Sequence, residues 1–148
     1  MVYAIQKSLQ TSFVLKTLYE RLLEHAEEEK WKRRLTSIVQ QKQKHLEFFQ
    51  YIHLLENGNY YSYNSVYMEH PLKEELVYVA LENELANVNC QYKLFTYFNG
   101  TTNKVLQQTL QQSFECAKAL IELLDDSTIA PIYSFHPQRC NSRERVQG

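Results

Sequence analysis

The stretch WKRRLTSIVQQKQKHLEFFQYI, residues 31–52, decides the fold. Trp31, Leu35, Ile38, Lys42, His45, Phe49 and Ile52 recur in it at alternating steps of four and three. That is the spacing of a helix that buries one seam. Two members at the centre of the seam, Lys42 and His45, are polar. The pattern therefore predicts a long helix with a break in its apolar surface halfway along.

Outward from this stretch, punctuation is sparse. The 148 residues contain three glycines and three prolines, where average usage of about 7% would give roughly ten glycines. Neither residue occurs before Gly58, nor between Leu72 and Asn99. Sheets need frequent turns, and turns draw on Gly and Pro. Long helices are the expected alternative. Asn57-Gly58 and Asn99-Gly100 each follow an apolar-periodic stretch, where Gly serves as a left-handed helix stop. Pro71 suits the first turn of a new helix, and Thr101-Thr102 can cap another. Helices are expected near 3–26, 28–56, 71–98 and 102–125. The first stripe, Ile5, Leu9, Ser12, Tyr19, Leu22, Ala26, loses phase around Glu27–Lys30, which predicts a tight helix–helix turn. Residues 1–126 read as one four-helix domain, and 127–148 as an irregular tail.

The connections are short, long, short. Segment 57–70 spans about 14 residues, roughly 46 Å when extended, enough to travel beside a helix of roughly 42 Å. The expected architecture is all-α: a ferritin-like four-helix bundle of two hairpins joined by a long crossover. The four tyrosines of Tyr60-Tyr61-Ser62-Tyr63-Asn64-Ser65-Val66-Tyr67 are expected to pack their rings on the side of the bundle rather than form an adhesive patch.

Bulk composition excludes several function classes. Sixteen basic residues against 17 acidic ones leave a net charge of −1, a poor footprint for nucleic acid. No apolar run approaches the ~18 residues of a membrane span. Cys90, Cys116 and Cys140 are odd in number and widely spaced, which indicates neither a disulfide framework nor a zinc knuckle. With no secretion signal at Met1-Val-Tyr-Ala-Ile-Gln-Lys, the expected compartment is the cytoplasm.

The other seams also carry polar residues at mid-length. The first helix has Ser12, the third reads Leu72, Leu76, Val79, Asn83, Ala86, Cys90, and the fourth reads Leu106, Leu110, Ser113, Cys116, Leu120, Leu123. Shifting the chain by 71 residues maps Ser12, Lys42 and His45 onto Asn83, Ser113 and Cys116. The same shift maps Ile5 onto Leu76, Leu35 onto Leu106 and Ile52 onto Leu123. A duplicated helical hairpin is the expected origin.

With these stretches, Leu18-Tyr19-Glu20-Arg21-Leu22 and Lys44-His45-Leu46-Glu47-Phe48-Phe49, the pattern over residues 3–125 resembles rubrerythrin-like members of the ferritin-like superfamily. The resemblance implies a di-metal site built from a Glu and a Glu-x-x-His in each hairpin. In this chain those positions read Ser12, Lys42, His45, Asn83, Ser113 and Cys116, and only His45 matches. Divalent ions in such a site need carboxylate oxygens, and a Lys ammonium in the layer repels them. The expectation is a vestigial metal-site layer with no metal, no cofactor and no catalytic residue. The protein would then be non-catalytic, acting structurally or through protein contacts, as a homodimer or with an unidentified protein partner, and without nucleic acid or membrane.

Two readings of Lys42 stay open. Its ammonium either takes the metal's place, bonding Ser12, Asn83 and Ser113, or snorkels along its stem to solvent. His45 reads as a core histidine, and Cys116 and Cys90 as inert buried thiols. The alternative function is a metal-binding oxidoreductase or iron-handling protein with a rearranged site, in which Glu20, Glu82, Glu84 and Glu115 join His45. Most such Glu are solvated face residues. Lys16 and Glu20 are expected to pair on the surface. The tail, with Tyr133, Phe135, His136 and Cys140, either docks on a partner subunit or stays irregular.

Overall fold

The computed structural model describes residues 1–67 and 72–126. Pro71 as a helix start, and the tail expected at 127–148, lie outside the described residues. Four helices make up the fold: α1 (Val2–His25), α2 (Glu29–Asn57), α3 (Lys73–Leu94) and α4 (Gly100–Asp125). No strand occurs among the described residues.

The break at residues 26–28 follows from the phase slip. Ala26 and Glu28 are extended, and the Glu28 carbonyl accepts the Trp31 and Lys32 N–H groups that open α2. Glu29 then lies in the first turn, where the helix dipole favours negative charge. Gly58 ends α2 as expected, at φ 81°, with its N–H donated to the Leu54 carbonyl at 2.9 Å. The carboxylate of Glu75 accepts the Leu72 N–H at 3.0 Å and caps α3.

Gly100 does not stop α3. That helix ends at Leu94 in a turn, where the Tyr97 N–H reaches the Leu94 carbonyl and the Thr96 hydroxyl donates to the Lys93 carbonyl. Phe95 and Phe98 anchor this turn on the core. Gly100, at φ 61°, is instead the first residue of α4. A left-handed glycine serves either end of a helix break, so the dipeptide alone marks the break and not its side.

The core is in two parts. One cluster gathers Leu15, Leu18 and Leu22 of α1, Trp31 and Leu35 of α2, Leu76, Val77 and Ala80 of α3, and Leu120, Leu123 and Leu124 of α4. The other gathers Ile5 and Leu9, Phe49 and Ile52, Leu94, and Leu106. α1 packs against both α2 and α3, and α3 against α4. Between the clusters all four helices turn polar residues inward.

Segment 59–64 lies against α1 and α2. Gln50 accepts the Tyr61 N–H and donates to the Tyr61 carbonyl, both at 2.8 Å. Gln10 pairs in the same way with the backbone of Asn64. The Tyr63 ring stacks on Phe13, with centroids 4.5 Å apart. Tyr61 and Tyr63 thus pack on the bundle, while Tyr60 and Tyr67 remain exposed. Lys16 and Glu20 pair on the surface at 3.8 Å.

Candidate functional site

The inward polar residues form one continuous layer. Ser12, Lys42, His45, Glu84, Asn87 and Ser113 are all buried, and Cys116 lies beside them at 2% exposure. At its centre the Lys42 ammonium sits 2.9 Å from both carboxylate oxygens of Glu84. Both side chains are fully buried. The Tyr19 hydroxyl donates to the second Glu84 oxygen at 2.6 Å, and the ammonium stands 5.9 Å from the centre of the Tyr19 ring.

This arrangement settles the reading of Lys42. Its head does not snorkel to water, and it does not bond the three residues expected. Ser12 Oγ and Ser113 Oγ find no hydrogen-bond partner among the described residues. Asn83 is only half-buried and donates its side-chain amide to the Val79 carbonyl. Glu84, one residue further along, holds the place assigned to Asn83. It is therefore not a solvated face residue. Electrostatics gives the reason, because a buried ammonium needs a counter-charge that a neutral amide cannot supply.

The burial pattern also refines the internal repeat. Buried residues of α2 map onto buried residues of α4 at a shift of 71: Leu35 on Leu106, Lys42 on Ser113, His45 on Cys116, Phe49 on Leu120, Ile52 on Leu123. For α1 and α3 the shift is 72. It pairs Ile5 with Val77, Ser8 with Ala80, Ser12 with Glu84, Leu15 with Asn87, Tyr19 with Gln91 and Leu22 with Leu94. The expected pairs Ile5–Leu76 and Ser12–Asn83 are thus one residue out of register.

The other groups in the layer are uncharged at neutral pH. Burial, and then the positive charge of Lys42, push the His45 imidazole down to about 4. Its Nε2 pairs with Gln112 Oε1 at 2.8 Å, while its Nδ1 finds no partner among the described residues, so His45 is a buried histidine satisfied on one side only. Burial pushes the Cys116 thiol up to about 12, and its Sγ contacts Gln41 Oε1 at 3.4 Å. Burial and the Glu84 charge hold the Tyr19 phenol well above its ordinary range. One cation and one anion remain, and they cancel.

An inert thiol makes a measurable difference. Only a thiolate reacts with disulfide reagents, so Cys116 should be labelled at least about a hundredfold more slowly in the native chain than in urea. Mass spectrometry of the tryptic peptide gives the rate. Labelling at the rate of the unfolded chain would place Cys116 at the surface.

The layer does not fit a di-metal centre. Its one carboxylate is neutralised by Lys42, its hydroxyls are weak neutral ligands, and the ammonium repels divalent cations. Among the described residues no group of three or more His, Cys, Asp or Glu side chains is placed to hold a metal ion. Glu20, Glu82 and Glu115 are exposed on outer faces and do not approach His45 as the rearranged site required.

Gln41, Asn87 and Gln112, which the sequence reading did not name, complete the layer, together with Tyr19, read only as a seam residue, and Glu84, named only for the rearranged metal site. Their signal was the alternative seam Leu76, Ala80, Glu84, Asn87, Gln91, Leu94, which keeps helical spacing but holds three polar residues in a row. No helix among the described residues is long and apolar enough to cross a membrane. Compared with known proteins, the chain matches no family model, no curated protein and no solved structure.

Proposed function

We propose that this chain is a non-catalytic, ferritin-like bundle that has lost its di-metal site and acts structurally or through protein contacts. The buried Lys42–Glu84 ion pair carries this reading. A fixed ammonium neutralises the one carboxylate left in the layer, where a metal enzyme keeps several carboxylates free for ions. With α1–α3 matched at 72, the family's lone Glu of the second hairpin corresponds to Glu84 and not to Asn83. One of the four carboxylates is therefore retained, as a partner for lysine.

Two further observations support the ferritin-like arrangement. Both α2 and α3 start in the first apolar cluster and end in the second. The chain must then return along the length of the bundle between them, as a long crossover does. The repeat, with one residue less between α3 and α4 than between α1 and α2, fits a duplicated hairpin. Self-association as a homodimer in the cytoplasm, without nucleic acid, membrane or cofactor, belongs to the same proposal. An unidentified protein partner is its extension.

Sedimentation followed by elemental analysis of one purified sample tests it. The expected result is a dimer of the 17.6 kDa chain with no stoichiometric iron, manganese or zinc. Stoichiometric metal that disappears in Glu84→Ala would overturn the reading in favour of a metal-binding oxidoreductase or iron-handling protein.

A further inference from the structure

The repeat has a second use, on the outside of the bundle. Beside α1 and α2 runs a groove of about 620 Å³ lined by Phe13, Lys16, Gln43, Leu46, Glu47, Gln50 and Tyr51, with Tyr60 and Tyr63 of the following segment. In the second hairpin the counterparts at shifts of 72 and 71 are Leu85, Val88, Phe114, Ala117, Lys118, Ile121 and Glu122. Two amides and two charges in the first set have become Phe, Ile, Val and Lys, against one tyrosine that has become Glu. This second face is thus the more apolar of the two. It is also the more open: Leu85 is 56%, Phe114 46% and Ile121 48% exposed, with Tyr78 and Tyr92 nearby on α3. Five large apolar side chains on one face are a patch that calls for a cover.

The cover on the first face comes from the chain that follows α2. Its anchor is Tyr61-Ser62-Tyr63, with Tyr63 stacked on Phe13 and Ser62 pointing to solvent. The chain that follows α4 carries Tyr133-Ser134-Phe135, at the same shift of 72 that relates α1 to α3. Tyr61 comes six residues after Leu55 and Tyr133 seven after Asp126, the residue equivalent to Leu55 at a shift of 71. The reach is therefore the same to within one residue.

We propose that Tyr133-Ser134-Phe135 docks on the outer face of α3 and α4, Phe135 against Leu85, as Tyr61-Ser62-Tyr63 docks on α1 and α2. The two covers differ in how their backbones are held. Gln10 and Gln50 clamp the first, and their counterparts are Glu82 and Ile121, so the second is held by ring contacts rather than amide pairs. It is the weaker cover. This inference rests on the repeat and not on the fate of the metal site.

The test is cross-linking in the full chain, with the native cysteines replaced by alanine and helicity checked by circular dichroism. Leu85→Cys with Phe135→Cys should form an intramolecular disulfide roughly tenfold or more faster than Leu85→Cys with Ser134→Cys, because docking raises the effective concentration of one thiol and turns the other outward. Equal rates would overturn the proposal, as would a disulfide formed only between two chains, which would assign the face to a second copy. Footprinting with hydroxyl radicals needs no cysteine changes. Oxidation of Phe114 should rise several-fold in Tyr133→Ala/Phe135→Ala, and an unchanged value would also overturn the proposal.

Discussion

Lys42→Met should destabilise the bundle by about 3–5 kcal/mol, the cost of stranding a buried carboxylate that has lost its counter-ion. Glu84 has both oxygens on the Lys42 ammonium and one on Tyr19, and no exposed route by which to regain water. Glu84→Gln should be costly for the mirror-image reason, leaving the ammonium unpaired. The double variant Lys42→Met/Glu84→Gln should recover a large part of the loss. It removes both charges together and keeps an acceptor for the Tyr19 hydroxyl. Urea unfolding of the three variants gives the values and the coupling between the positions. A loss below about 1 kcal/mol in Lys42→Met would mean that the two charges reach solvent, and the layer would not be the closed site described.

The second large effect is on pH dependence. The folded chain holds His45 down at about 4, whereas an unfolded histidine titrates near 6.5. Between those values the unfolded chain binds a proton that the folded chain refuses. Unfolding therefore gains as pH falls through this window, and stability rises with pH across it. The full contribution is present above about pH 6.5 and is lost progressively toward pH 4, where the loss levels off. A displacement of that size corresponds to about 3 kcal/mol. Denaturation midpoints of the native chain and of His45→Gln, measured from pH 4 to pH 7.5, isolate the effect, since His45→Gln should flatten the curve. Equal slopes for the two would show that another group carries the acid sensitivity.

Legibility tracked the strength of the apolar signal. The helices, the phase slip around Glu27–Lys30 and the seam positions of Lys42 and His45 were all readable, because in α1, α2 and α4 large side chains outnumber the polar ones on the buried face. The seam of α3 was not. Glu84, Asn87 and Gln91 interrupt it, while Leu81, Leu85 and Val88 sit beside it on the same helix, so an apolar arc wider than one face blurs the phase. An error of one residue there put an amide, Asn83, where the structure has the carboxylate of Glu84, and hid the partner of Lys42. The site was therefore half legible: the seam position of Lys42 could be read from the sequence, but the burial of its ammonium and its counter-ion could be found only once the helices were packed.

Lys42 is a cation on a tether. An ion held at Glu84 would stabilise the fold only in proportion to its free concentration, and a chelator or a shortage would withdraw that support. The ammonium is synthesised with the chain, present at one equivalent, and cannot dissociate. The melting temperature should accordingly be the same with and without EDTA. A counter-charge that a bound ion would supply reversibly is here built into the chain, and the bundle folds without waiting for a supply.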